Sequence, residues 1–171
     1  MKKKLFAIIC LITLASFIFN QDKFPWTANR KLVWSDFNGK PDKSNPASAL
    51  TYSDINIGAS FIDGKISVDV QNYFDDELSW TKNKTSNQLL AHEQLHFDIT
   101  ELYTRIIRKR MNEIASKETI QNGSFNKESS KLLQQWNDYQ LKYDKETNHG
   151  VNSEKQKQWE SLVQKQLKEI Q

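Results

Sequence analysis

Two histidines and a glutamate stand in this sequence at the spacing of a zinc-binding motif. His92, Glu93 and His96 form an HExxH pattern within the run LLAHEQLHFDITELY. Residues four apart lie on one face of a helix, so both imidazoles can reach one ion while Glu93 stands beside them. In zinc hydrolases of this pattern the glutamate acts as the general base. The motif therefore predicts a Zn²⁺ site with Glu93 as the catalytic residue.

The residues around the motif predict a long helix from Ser86 to about Ser116. Apolar residues recur at helical spacing along this stretch, and both histidines fall within the apolar stripe. Two buried histidines in a helix can also be ordinary core residues with satisfied hydrogen bonds. Their separation by one turn favours the metal site, because both imidazoles can then reach one ion. Their position on a buried face also favours it, because an ion is bound more strongly in surroundings of low dielectric.

A catalytic zinc takes three protein ligands, so the motif is one ligand short. A third histidine six residues after His96 would indicate a metzincin, but Leu102 occupies that position. Glu113 and Glu118 are available as ligands of the gluzincin type. Both lie on or close to the predicted motif helix, which would have to end early to bring either one back to the site.

The run YDKETNHG supplies the preferred third ligand, His149. Apart from the motif pair it is the only histidine of the chain, and it lies in a loop between two predicted helices that can fold over the motif. Asp144 is the alternative ligand, since carboxylates also bind zinc. If His149 is the ligand, Asp144 would hydrogen-bond behind it, and Tyr143 could stabilise a developing oxyanion.

The first residues indicate export. Three lysines precede an apolar run over residues 5–19, which is the pattern of a secretory signal peptide. We expect a signal peptide over 1–21 and one mature domain over 22–171, located in the periplasm or secreted. Contact with a membrane is expected only if the signal segment stays uncleaved. Cys10 lies inside the apolar run rather than at its end, which argues against a lipoprotein.

The charge of the mature region excludes some partners. The whole chain has 24 Lys and Arg against 21 Asp and Glu, and three of the lysines belong to the signal segment. The remaining domain is close to neutral, so no nucleic-acid partner is expected. Removal of residues 1–21 also removes the only cysteine, so a packed core must stabilise the domain without disulfides.

Other elements can be predicted from periodicity. Residues 29–37 suggest a first strand or extended arm, and Thr51–Phe61 alternates with Ile66–Val70 as a β-hairpin. After a break at Asn122-Gly123, helices are expected from about Lys127 to Tyr143 and from about Ser153 onwards.

The early WSDF, the hairpin, the extended HEQLHFDI run and the YDxxTxHG pattern together carry a resemblance to a known family. The chain resembles a bacterial family of exported, proposed zinc-dependent proteases, which is catalogued as domain of unknown function 922. The resemblance implies a zincin-like fold and a peptidase-like site. We accordingly expect an α+β metallopeptidase domain, with a small antiparallel sheet packed on the long motif helix and the C-terminal helices on its other side.

The expected activity is hydrolysis of peptide bonds outside the cytoplasm, with a zinc-activated water and Glu93 as general base. The substrate would be a peptide or protein of the cell envelope or its surroundings. The alternative is a zinc-binding envelope interaction module without turnover. Retention of Glu93 favours the enzyme, because a purely structural metal site needs no base.

Overall fold

The computed structural model describes residues 23–170. The predicted signal segment therefore lies outside the described residues. The elements are two short strands, β1 (Lys23–Phe24) and β2 (Ala49–Leu50); two long strands, β3 (Ser53–Ile62) and β4 (Lys65–Asp75); a short β5 (Trp80–Thr81); and the helices α1 (Asn87–Ile114), α2 (Lys117–Gln121), α3 (Ser124–Thr147) and α4 (Ser153–Glu169). The described chain is thus α+β, with small antiparallel sheets and four helices.

The motif helix α1 has 28 residues, as the apolar spacing predicts. The hydroxyl of Ser86 caps its start by accepting a hydrogen bond from the amide of Leu89 at 3.1 Å. Along its middle, residues 97–102 are all buried, whichever way their side chains face. A helix buried on every side lies between other elements. Here β3 and β4 lie on one side of α1, and α3 and α4 pack against it elsewhere.

The predicted hairpin is confirmed. Strands β3 and β4 pair in antiparallel register from Ser53 opposite Phe74 to Ile62 opposite Lys65, and Asp63-Gly64 form the turn with positive φ angles of 51° and 77°. Strand β1 pairs with the other edge of β4, giving the order β1-β4-β3. Alternate residues of the hairpin, including Ile55 and Val70, pack against Ile107 and Met111 of α1.

The C-terminal helices form a second layer. Leu95 and Ile99 of α1, Tyr143 of α3, and Trp159 and Val163 of α4 make one buried cluster. This cluster ties the HExxH region directly to the C-terminal helices. Helix α3 begins and ends beyond the predicted bounds, which places Asp144 within the helix rather than in the following loop.

Three local features differ from the predictions. Residues 29–37 form no strand; they contain a short 3₁₀ helix at Trp34–Asp36, and Leu32 and Phe37 insert into a core with Phe74 and Phe97. The pair β2-β5 and the helix α2 were not predicted. Strands of two residues and a helix of five are too short to show a periodic pattern.

Candidate metal centre

Helices α1 and α3 bring three possible metal ligands together. The Nε2 atoms of His92 and His96 each lie 3.1 Å from Oδ1 of Asp144 and 3.2 Å from one another. All three ligand atoms lie within 4.8 Å of one another. His92 and His96 are one turn apart on α1, and Asp144 faces them from the last turn of α3. This group could hold a metal ion.

The geometry and the donor types fit zinc. Ligand bonds of 2.0–2.2 Å at tetrahedral angles separate ligand atoms by about 3.4 Å, and the observed edges of 3.1–3.2 Å are close to that value. Imidazole nitrogen and carboxylate oxygen are both usual zinc ligands. Three protein ligands leave a further coordination position for water, as in catalytic rather than structural zinc sites.

The site favours an ionised carboxylate. Burial alone would raise the pKa of Asp144, but hydrogen bonds from His92 and His96 outweigh it and hold that pKa well below its usual range. Burial would lower the pKa of His96, whereas its hydrogen bond to Asp144 and the charge of Glu93 raise that pKa above its usual value. Binding of a cation would therefore displace a proton from the histidine side of the group.

The structure brings Asp144, and not His149, into this group. His149 follows the end of α3, where it has a positive φ of 52° and a side chain that is 75% exposed. Its Nδ1 lies 3.5 Å from Oδ1 of Asp144, at the rim of the histidine pair. The alternative ligand from the sequence, Asp144, therefore lies in the group that could hold a metal, because α3 continues through Asp144 and directs this residue at α1.

Tyr143 also has a different place from the expected one. Its side chain is fully buried, and its ring stacks on His92 with centroids 4.7 Å apart. The hydroxyl lies 2.7 Å from Oε1 of Gln156 and 3.2 Å from the carbonyl oxygen of His92. Burial raises the pKa of Tyr143, so the hydroxyl stays a donor. Tyr143 thus packs behind His92 and is not among the residues that line the cleft, where an oxyanion would form.

Glu93 lies in the floor of a cleft of about 850 Å³ that also exposes the three candidate ligands. Its side chain is only 3% exposed, and Oε2 accepts a hydrogen bond from the hydroxyl of Thr51 at 2.7 Å. The cleft is lined by residues 45–51, by the start of α1 and by residues 148–151. Thr51 was not predicted as a site residue; no local motif marks it.

Two glutamines complete the surroundings of the histidines. Oε1 of Gln140 lies 2.7 Å from Nδ1 of His96, and Oε1 of Gln156 lies 3.3 Å from Nδ1 of His92. Gln140 precedes Asp144 by four residues, so α3 presents both side chains to α1 from one face. That spacing was the available sequence signal for Gln140, although it is common in helices.

Comparison with known proteins identifies one family. The model described as "Bacterial protein of unknown function (DUF922)" matches residues 65–150, about half of the chain. The match spans the HExxH motif, Asp144 and His149. No curated protein and no solved structure matches the chain.

Proposed function

The chain belongs to the DUF922 family of bacterial proteins, and we propose that it is a zinc-dependent metallopeptidase with a zincin-like arrangement of its site. One observation carries this proposal. The group of His92, His96 and Asp144 shares the floor of one cleft with the buried carboxylate of Glu93. A metal held only for structure needs neither an adjacent base nor an open cleft.

The residues can perform hydrolysis by general acid-base catalysis. When bound at His92, His96 and Asp144, zinc would supply a Lewis acid that makes a water more acidic and a carbonyl more electrophilic. Glu93 accepts one proton of the attacking water as the oxygen adds to the scissile carbonyl carbon. It then gives that proton to the amine nitrogen as the carbon–nitrogen bond breaks. Thr51 holds Oε2 of Glu93, which leaves Oε1 for this proton.

The walls of the cleft indicate the class of substrate. Among the described residues that line it, Glu93, Asp144 and the three histidines are the only titratable side chains. The others are amides, hydroxyls and small or medium apolar groups. A segment with charged side chains beside the scissile bond would lose hydration without gaining a partner here. We propose that the substrate is a peptide or protein segment with uncharged residues around the cleaved bond.

The proposed reaction takes place outside the cytoplasm. Lys2–Lys4 and the apolar residues 5–19 support export, although they lie outside the described residues. Within residues 23–170 no helix has the length and apolar character needed to cross a membrane. We expect the protein from its host to begin near residue 22 in the exported fraction. N-terminal sequencing tests this, and a cytoplasmic protein that keeps Met1 would contradict it.

Glu93→Gln tests the proposed activity. The variant keeps the size and the fold of the motif helix but cannot accept a proton, so hydrolysis of a peptide should fall by at least about 100-fold. Zinc content should stay near one per chain, because Glu93 is not a ligand. Both should be measured beside the unmodified protein, with a peptide library as the substrate source.

Equal cleavage by the parent and Glu93→Gln, with zinc intact, would contradict the mechanism. If the zinc-loaded parent cleaves no peptide, the chain is instead a zinc-binding interaction module.

A further inference from the structure

We infer that Gln140 and Gln156 are positioning residues that fix Nε2 of each motif histidine as the metal-binding atom. The inference rests on the proposed metal centre. It goes beyond the ligand set, because it assigns the proton positions on both rings and the charge of the surroundings. Neighbouring groups decide which end of each amide faces its histidine.

The orientation of Gln140 is set by a group that can only accept hydrogen bonds. Its Nε2 lies 3.0 Å from the carbonyl oxygen of His96 and 3.2 Å from the hydroxyl of Thr100. A carbonyl oxygen cannot donate, so the NH₂ end of the amide must face it. Oε1 is then directed at Nδ1 of His96, 2.7 Å away. Since Oε1 only accepts, Nδ1 must carry the proton.

The orientation of Gln156 is also set by a neighbouring acceptor, which here is a carboxylate. Its Nε2 lies 3.0 Å from a carboxylate oxygen of Glu160, which favours the NH₂ end at that position. Oε1 accepts from the hydroxyl of Tyr143 at 2.7 Å and lies 3.3 Å from Nδ1 of His92. Gln156 is only 4% exposed, so water does not readily replace these contacts. Nδ1 of His92 must also be the protonated nitrogen.

A neutral imidazole with its proton on Nδ1 has its lone pair on Nε2. Both Nε2 atoms are the ones that lie 3.1 Å from Asp144. The two amides thus hold both rings in the orientation, and with the Nδ1 proton, that leave Nε2 for the ion once its hydrogen bond to Asp144 is given up. This saves the free energy of selecting the tautomer and the ring orientation at the moment of binding.

The choice of amides also affects the charge at the ion. Histidine ligands are often supported by carboxylates, which add negative charge. Amides add none, so Asp144 and Glu93 are the anionic side chains that border the described ligand group. A divalent cation held here would keep more of its charge than one supported by two further carboxylates, and would polarise its surroundings more strongly.

Gln140→Leu and Gln156→Leu test the inference through zinc affinity, measured by competition with a chelator. Each should raise the zinc dissociation constant by about 10- to 100-fold, the usual effect of losing a partner behind a ligand. Gln134→Leu is the matched control, since Gln134 is an exposed residue of α3 whose side chain hydrogen-bonds to Asp138, away from the histidines. It should bind zinc like the parent.

Histidine ¹⁵N spectra of the zinc-bound parent provide a second test that needs no variant and no substrate. They should show coordination through Nε2 and a protonated Nδ1 at both His92 and His96. Coordination through Nδ1, or unchanged zinc affinity in both folded glutamine variants, would overturn the inference and leave the metal centre standing. Absence of zinc binding by the parent would instead remove the proposed function itself.

Discussion

The carboxylate of Glu93 is buried, so it needs a hydrogen-bond donor from the protein in place of water. Only 3% of Glu93 is exposed, and the hydroxyl of Thr51 is the side-chain donor that contacts its carboxylate within the described residues. The two residues are 42 positions apart, and the loop ahead of β3 brings them together. The proposed general base therefore depends on a residue from outside the motif helix.

Thr51→Val removes the hydroxyl at nearly constant volume. The buried carboxylate then loses a hydrogen bond of the charged type, and the free energy of unfolding should fall by about 1.5–3 kcal/mol. Thr51→Ser keeps the hydroxyl and should recover most of this loss. Urea unfolding of the three metal-free proteins gives the comparison. Equal stability of the valine variant and the parent would show that Thr51 does not support Glu93.

A site residue can be predicted from the sequence when the residues it contacts lie close to it along the chain. His92, Glu93 and His96 could be found because one helical turn sets their relation. Thr51 and Gln140 contact the motif across 42 and 44 residues, and a single sequence carries no periodic sign of such contacts. Asp144 and His149 are both candidates from the sequence, and the end of α3, which the sequence does not fix, decides which of them lies beside the histidine pair.

The turn after α3 is the element that encloses the histidine pair. Asn148, His149 and Gly150 all have positive φ angles, of 50°, 52° and 79°. A side chain at Gly150 would place its Cβ 2.8 Å from Cβ and Cγ of His92. Gln88 of α1 also donates to the carbonyl oxygen of Gly150 at 2.6 Å. The glycine thus permits both the left-handed turn and close contact with His92.

Gly150→Ala should weaken zinc binding as well as the fold, because His92 must move to admit the new Cβ. Gly123→Ala is the control: Gly123 has a similar φ of 81°, but a Cβ there meets no atom within 4 Å. Both variants lose about 1–2 kcal/mol of stability through the left-handed backbone. Only Gly150→Ala should also raise the zinc dissociation constant, by about tenfold or more. Equal zinc affinities in the two variants would show that this contact does not position His92.

Elements with sustained periodicity were predictable, and those defined by tertiary contacts were not. The hairpin and the helices α1, α3 and α4 show their period over ten or more residues. The stretch 29–37 contains apolar residues that suggest a strand. Instead, the amide of Leu32 donates to the side chain of Gln94 at 2.7 Å, so this segment is bound to α1 rather than to a sheet.

At the scale of the whole molecule, the candidate site is built from residues of several helices and of the loop before β3, and these elements separate when the domain unfolds. Its candidate ligands come from α1 and α3, Gln156 comes from α4, and Thr51 precedes β3. A bound ion would therefore stabilise the complete domain. At a free zinc concentration 100 times the dissociation constant, linkage adds about 2.7 kcal/mol. For a domain of this size, that corresponds to a rise in Tm of roughly 5–11 °C.

The zinc-dependent rise in Tm, compared between the parent, Asp144→Ala and His149→Ala, tests the central claim most directly. We expect the rise in the parent, its loss in Asp144→Ala, and its retention in His149→Ala, because only Asp144 lies in the ligand group. Retention in Asp144→Ala with loss in His149→Ala would transfer the third ligand to His149. Absence of any rise in the folded parent would contradict the zinc centre.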